Sequence, residues 1–274
     1  SISPQSPFKA FAKKSELKIL GKVAKNKTGT RVRYWPDPQI FVKETAFDLK
    51  DLEDRARQTA FLVPGLVLSV VDKRGGKPTK QQFKFDGGIS EFVDYLAPDA
   101  ALTAIWRLRR ETEFTETVPV LDKKGNMVST EVTRKCEVDI ALRWGTGYET
   151  SFRSFVNVIA TPKGGTHVTG FEQGAVKAIR AEIEANSRKL KLGNDKVEKE
   201  DILAGLTAVV AVRLAEPQFE GQTKEILGTP AVKNIVAAIV AKRLNERFSS
   251  GKRDDKTQSA LVLEKIVAET KSRV

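Results

Sequence analysis

Residues 207–214, Thr207-Ala208-Val209-Val210-Ala211-Val212-Arg213-Leu214, form a β-rich apolar run with an amphipathic helical stretch on either side. At 166–188 the residues Phe171, Ala175, Ala178, Ile179 and Ile183 recur on one helical face. At 232–248 the residues Val232, Ile235, Val236, Ile239, Val240 and Leu244 do the same. A strand flanked by helices that each need an apolar partner commits this part of the chain to packed α and β layers.

Further strands are expected at 103–114, 130–144 and 149–158, with a loop at 122–126 and a last helix at 258–271 after a polar linker at 249–256. Towards the N-terminus, alternation predicts neighbouring strands at 18–23 and 30–35, the second stopped by Trp35-Pro36-Asp37-Pro38 because proline donates nothing to a ladder. Leu49, Leu52, Ala56, Thr59 and Ala60 share a helical stripe over 49–61, ended by Pro64-Gly65. Strands at 66–72 and 82–85 follow, joined by a turn at 73–78. Gly87-Gly88 precedes a short helix at 89–96 closed by Pro98, and the expected domain boundary lies there. Lys189 opens a charged loop that runs to Lys199.

Composition narrows the chemistry. A single cysteine excludes an intrachain disulfide, and one cysteine with one histidine leaves no zinc site. Cys136 lies in an alternating strand and reads as a small buried hydrophobe. His167 precedes a helix, where it serves as an anchor or a phosphate contact; with no second histidine and no partnered cysteine, a structural role is expected. No apolar run approaches the ~20 residues of a membrane helix, and the N-terminus lacks a secretory pattern. Ser1 in place of an initiator Met suggests that the chain starts inside a longer protein. The net charge of +12 favours a polyanionic partner, since each phosphate neutralised releases counterions. Arg107, Arg109, Arg110, Lys123, Lys124, Arg188, Lys189, Lys191, Lys242 and Arg243 carry part of that excess.

Several segments, in order, resemble bacterial type II DNA topoisomerase B subunits, those of gyrase and topoisomerase IV. Thr28-Gly29-Thr30-Arg31-Val32-Arg33-Tyr34-Trp35-Pro36-Asp37 is similar to their T-G-T-x-V-x-F-W-P-D. Ala60-Phe61-Leu62-Val63-Pro64-Gly65 resembles A-F-L-N-x-G, with Val63 and Pro64 as departures. Gly164-Gly165-Thr166-His167-Val168-Thr169-Gly170-Phe171 resembles G-G-T-H-x-x-G-F. Gly205-Leu206-Thr207-Ala208-Val209-Val210 with Phe219-Glu220-Gly221-Gln222-Thr223-Lys224 resembles G-L-x-A-V-x followed by F-x-x-Q-T-K.

The resemblance implies an α/β (α+β) chain in two parts. Residues 1–88 would be the later portion of a Bergerat-type (GHKL) ATPase sandwich. Residues 89–274 would be a ribosomal-S5-like transducer ending in a long helix. It implies ATP and Mg²⁺ as cofactors, duplex DNA, a second copy of the same chain and the topoisomerase A subunit as partners, no membrane, and a cytoplasmic, nucleoid-associated location. Lys224 would contact the γ-phosphate, with Gln222 as companion donor, while Thr30 would help bind adenine and Val32 would line that pocket. A lysine ammonium on a long stem suits a terminal phosphate.

Such an ATPase also needs a general-base carboxylate and a metal-holding Asn. The one E-x-x-x-N spacing, Glu182 to Asn186, falls in the helix after His167 and is expected to be a decoy, so the chain alone is expected not to hydrolyse ATP and to hold no metal. A stand-alone basic S5-like nucleic-acid-binding module is the alternative, but it leaves the Gln222-Thr223-Lys224 and Thr28-Gly29-Thr30 segments unexplained. A mismatch-repair or chaperone relative of the same superfamily fits those two segments less well.

Overall fold

The computed structural model describes residues 19–37, 39–41, 46–121 and 126–274, which cluster into two compact units, 1–52 and 53–274. The expected loop at 122–126 lies almost wholly outside the described residues, as do Lys18, Lys123 and Lys124.

In the first unit, the strands expected at 18–23 and 30–35 are not formed among the described residues. Ile19 is 96% exposed and Val32 79% exposed, so neither segment buries a face. Alternation fixes a ladder only where one face is covered, and an isolated strand pair is marginal at best in water. Local contacts remain: Asp37 accepts the backbone N–H of Gln39 at 2.9 Å, and Tyr34 meets Phe47 edge-on at 6.3 Å.

Helix α1 (Leu49–Leu62) is followed by the hairpin β1 (Leu68–Asp72) and β2 (Thr79–Phe83). Only the end of α1 is buried, at Ala60, Phe61 and Leu62; Leu52, expected on its apolar stripe, is exposed. The second strand begins earlier than expected because Asp72 pairs with Thr79 and Leu68 with Phe83. Phe85 is thereby left outside the ladder and stacks on Phe61 at 3.6 Å. Helix α2 (Ile89–Leu96) closes this segment.

Strands β3 (Trp106–Leu121), β4 (Met127–Trp144), β5 (Ser151–Val156), β6 (Ile159–Ala160) and β7 (Leu206–Leu214) build one mixed sheet in the order β3-β4-β7-β5-β6. The β5–β7 pair is parallel and the others are antiparallel. Between β6 and β7 lie α3 (Thr166–Ala185), α4 (Ser187–Leu190) and α5 (Lys199–Leu203), and β7 is followed by α6 (Pro230–Phe248) and α7 (Arg253–Arg273).

The apolar run at β7 now has its reason. Val210 and Val212 pack with Phe171, Ile179, Val236 and Val240 of α3 and α6, whereas Val209 joins Phe61, Phe92 and Phe155 in a second cluster. A strand covered on both faces is apolar throughout, not alternating. Helices α3 and α6 come close because Gly170 and Gly174, a turn apart, face the carbonyl oxygens of Lys233 and Ala237, where a Cβ would overlap.

The helix expected at 166–188 ends at Ala185. Asn186 Nδ2 donates to the Glu182 carbonyl and to Glu182 Oε1, both at 2.9 Å, and α4 starts as a separate turn. Helix α5 begins at Lys199, the last residue of the stretch expected to be a charged loop. Its signal is a capping box in which Glu198 and Asp201 each accept the other's backbone N–H. The buried Asp201 then takes the Arg273 guanidinium at 2.8 Å and Thr270 Oγ1 at 3.1 Å, fastening the end of α7.

Candidate phosphate-contact loop

The 15-residue stretch between Leu214 and Pro230 is not slack. Thr229, 2% exposed, accepts the Gln218 N–H on Oγ1 at 3.0 Å, and Pro230 begins α6 where no helical N–H is needed. Glu220 N–H reaches Ile226 O at 2.9 Å and Gly228 N–H reaches Gln218 O at 2.8 Å, so the loop doubles back on itself. Its returning limb also joins the segment before α3: Leu227 N–H donates to Gly164 O at 3.1 Å, and Thr166 N–H to Leu227 O at 2.9 Å. Gly165 adopts φ 129°, and a Cβ there would overlap the Leu227 backbone. Only glycine fits that crossing.

Gln222, Thr223 and Lys224 form the exposed tip of this anchored loop. Lys224 takes the left-handed φ of 57°, and its Nζ stands 5.9 Å from the Phe219 ring centre, within cation–π range. The side chains of Gln222 and Lys224 make no hydrogen bond or ion pair with other described residues, whereas the neighbouring Glu225 is committed. Its Oε2 receives Lys163 Nζ at 2.7 Å and Thr223 Oγ1 at 3.2 Å, and the Lys163 contact above all holds the carboxyl below its ordinary range. A hollow of about 520 Å³ adjoins Lys163 and Gly164, with Arg153, Thr161 and Gln58 among its polar lining.

His167 is fully buried and accepts or donates through Nε2 to Thr161 Oγ1 at 3.0 Å. Burial lowers its pKa to about 4, so the ring is neutral near pH 7. Cys136 is buried and its thiol is pushed up to about 11 by the same desolvation, leaving it a packing residue. Neither carries the features of a nucleophilic pair.

The structure sorts the basic residues. Arg107 is held by Asp139 at 2.5 Å, Arg109 by Glu137 at 2.6 Å and Arg243 by Glu246 at 2.9 Å. Arg110 and Lys242 have no such partner among the described residues, and they share a groove with Thr112 and Asn234 between β3 and α6. Thr30 and Val32 lie exposed in the first unit, outside any helix or paired strand. Among the described residues no group of three or more His, Cys, Asp or Glu side chains is placed to hold a metal ion, and no helix is long and apolar enough to cross a membrane. Lys163 and Glu225 are not visible as a pair in the sequence because 62 positions separate them and nothing in either local pattern points to the other.

Comparison with known proteins agrees with this architecture. The 43K ATPase domain of Thermus thermophilus gyrase B superposes with a TM-score of 0.64 at 28% identity, covering 87% of this chain and 57% of that one. The topoisomerase IV ATP-binding domain of Francisella tularensis gives 0.60 at 27% identity over the same shares. The fold therefore places the chain with the ATPase regions of type II topoisomerases.

The chain belongs to the DNA gyrase B family, whose model matches residues 88–274. Relatives include the DNA gyrase B protein of Campylobacter jejuni, 38% identical over 85% of this chain, and that of Treponema denticola, 35% identical over 97%. The chain spans 27% and 39% of the lengths of those two proteins.

Proposed function

We propose that this chain is the junction between ATPase region and transducer in the B subunit of an ATP-driven type II DNA topoisomerase. It would couple nucleotide state to closure of a pair of such chains around duplex DNA, with the A subunit as a further partner and the cytoplasm as its location. The domain boundary near residue 88 is part of this reading, and the family match starting at that residue supports it.

One observation carries the proposal: the β7–α6 loop is fixed at both stems while Gln222 and Lys224 at its tip remain uncommitted. An anchored loop backbone favours a phosphate contact at its tip, because the main chain there has little ordering left to lose and only the side chains must be fixed. Lys224 and Gln222 fit the outermost phosphate of ATP, and Thr30 and Val32 are assigned to its adenine end. Lys224 loses its partner when that phosphate departs, and the loop then transmits the change to α6 and to β7, the central strand of the sheet. The described residues offer no matching fit for Mg²⁺, since Asn186 and Glu182 are bonded to each other at the end of α3. On this reading the chain alone does not turn over ATP.

The test is Lys224→Ala in the native polypeptide that carries this chain. ATP-dependent supercoiling or decatenation is expected to be lost, together with DNA-stimulated ATP turnover. Near-normal turnover would sink the assignment.

A further inference from the structure

Lys224 is followed directly by an acid, and that adjacency poses a physical problem. A carboxylate beside a phosphate-seeking ammonium either captures it or repels the incoming phosphate. In this chain Glu225 does neither, because Lys163 engages it from the segment before α3 at 2.7 Å and Thr223 Oγ1 adds a bond at 3.2 Å. The two segments are also stitched by backbone bonds on either side, Lys163 N–H to Glu225 O at 3.3 Å and Leu227 N–H to Gly164 O at 3.1 Å. Lys163 is therefore delivered to Glu225 by the fold, and Lys224 is left over the Phe219 ring with no acidic partner among the described residues.

We infer that Lys163 is a positioning residue for the Lys224 phosphate contact: it neutralises and holds Glu225 so that Lys224 stays available to the outermost phosphate of a nucleoside triphosphate. This rests on the assignment of Lys224 proposed above and adds a residue to it. The effect acts through charge, so it differs from simple support of the loop. Support alone would be lost whenever the ion pair is lost. Charge shielding predicts that removing both partners restores what removing Lys163 destroys.

The measurement is the ratio of affinities for the non-hydrolysable triphosphate AMPPNP and for ADP, in the native polypeptide carrying this chain. It is made for Lys163→Gln, Glu225→Gln, the double variant, and Lys224→Ala. Lys163→Gln should weaken AMPPNP binding by about fivefold, the upper range for a partly exposed ion pair, with ADP unchanged. The loss should shrink as salt is raised. The double variant should return the ratio to the wild-type value, since the uncompensated carboxylate is gone. If Lys163→Gln leaves the ratio unaltered while Lys224→Ala lowers it, the inference about Lys163 is wrong and the assignment of Lys224 stands. If the double variant is as impaired as Lys163→Gln, the pair is only scaffolding and the inference also fails. If Lys224→Ala itself leaves the ratio unaltered, both fall together.

Discussion

His167 shows how a single side chain can be structural and still respond to pH. Its ring, on the first turn of α3, is fully buried with Thr161 as its hydrogen-bond partner, and desolvation brings its pKa from 6.5 to about 4. The folded state therefore binds its proton less readily than the unfolded chain. Stability from the neutral ring is complete above about pH 6.5 and is lost as pH falls towards 4, because the unfolded chain is protonated first. The full effect is about 3 kcal/mol at 1.36 kcal/mol per pKa unit. Urea midpoints measured from pH 7 to pH 4.5 should fall more steeply for the wild type than for His167→Gln. Parallel curves would show that other groups govern the acid limb. The sequence identified this residue as structural from the lack of a catalytic partner, but the depth of its burial was set by packing that the motif alone does not encode.

At the scale of elements, the α3–α6 contact gives a prediction whose sign is informative. In an exposed helix, Gly→Ala stabilises by about 1 kcal/mol through backbone propensity. At Gly170 and Gly174 the added methyl would meet the carbonyl oxygens of Lys233 and Ala237 instead. Gly170→Ala or Gly174→Ala should then destabilise by about 1–3 kcal/mol, the usual cost of overpacking. Thermal denaturation checks the sign, and a raised Tm would mean that the helices can part without penalty. The apolar faces of α3 and α6 were legible from 3.6-residue spacing, since Phe171, Ile179, Val236 and Val240 all reach the core. Helix α5 was not, because five residues in a charged stretch show no periodicity and its order comes from its caps and from Asp201 gripping Arg273. The strands expected at 18–23 and 30–35 failed for a related reason: alternation specifies which side chains would face a cover, and no cover is present among the described residues.

The whole molecule carries a net charge of +12, yet the cations are not equivalent. Those paired with carboxylates across β3 and β4 have little left for an outside anion, whereas Arg110 and Lys242 keep their charge facing one groove. If the proposed DNA partner is met there, Arg110→Ala with Lys242→Ala should reduce the slope of log binding constant against log salt by about 2, near 0.9 per phosphate contact. Arg107→Ala, which breaks the ion pair with Asp139, should leave that slope alone. Equilibrium titrations of duplex DNA at several salt concentrations distinguish the two. An unchanged slope in the double variant would place the phosphates elsewhere.

What the sequence determined by itself was local and periodic: helix faces repeating every turn, β7 as an apolar run, and the ordered motifs that mark the family. Those features depend on residues near one another along the chain, so spacing exposes them. The tertiary structure alone decided which charges are spent and which are free. Lys163 meets Glu225, and Arg110 shares a groove with Lys242, only because a sheet and two helices bring distant segments together. Electrostatic partnership depends on distance through space, and a one-dimensional pattern does not carry it.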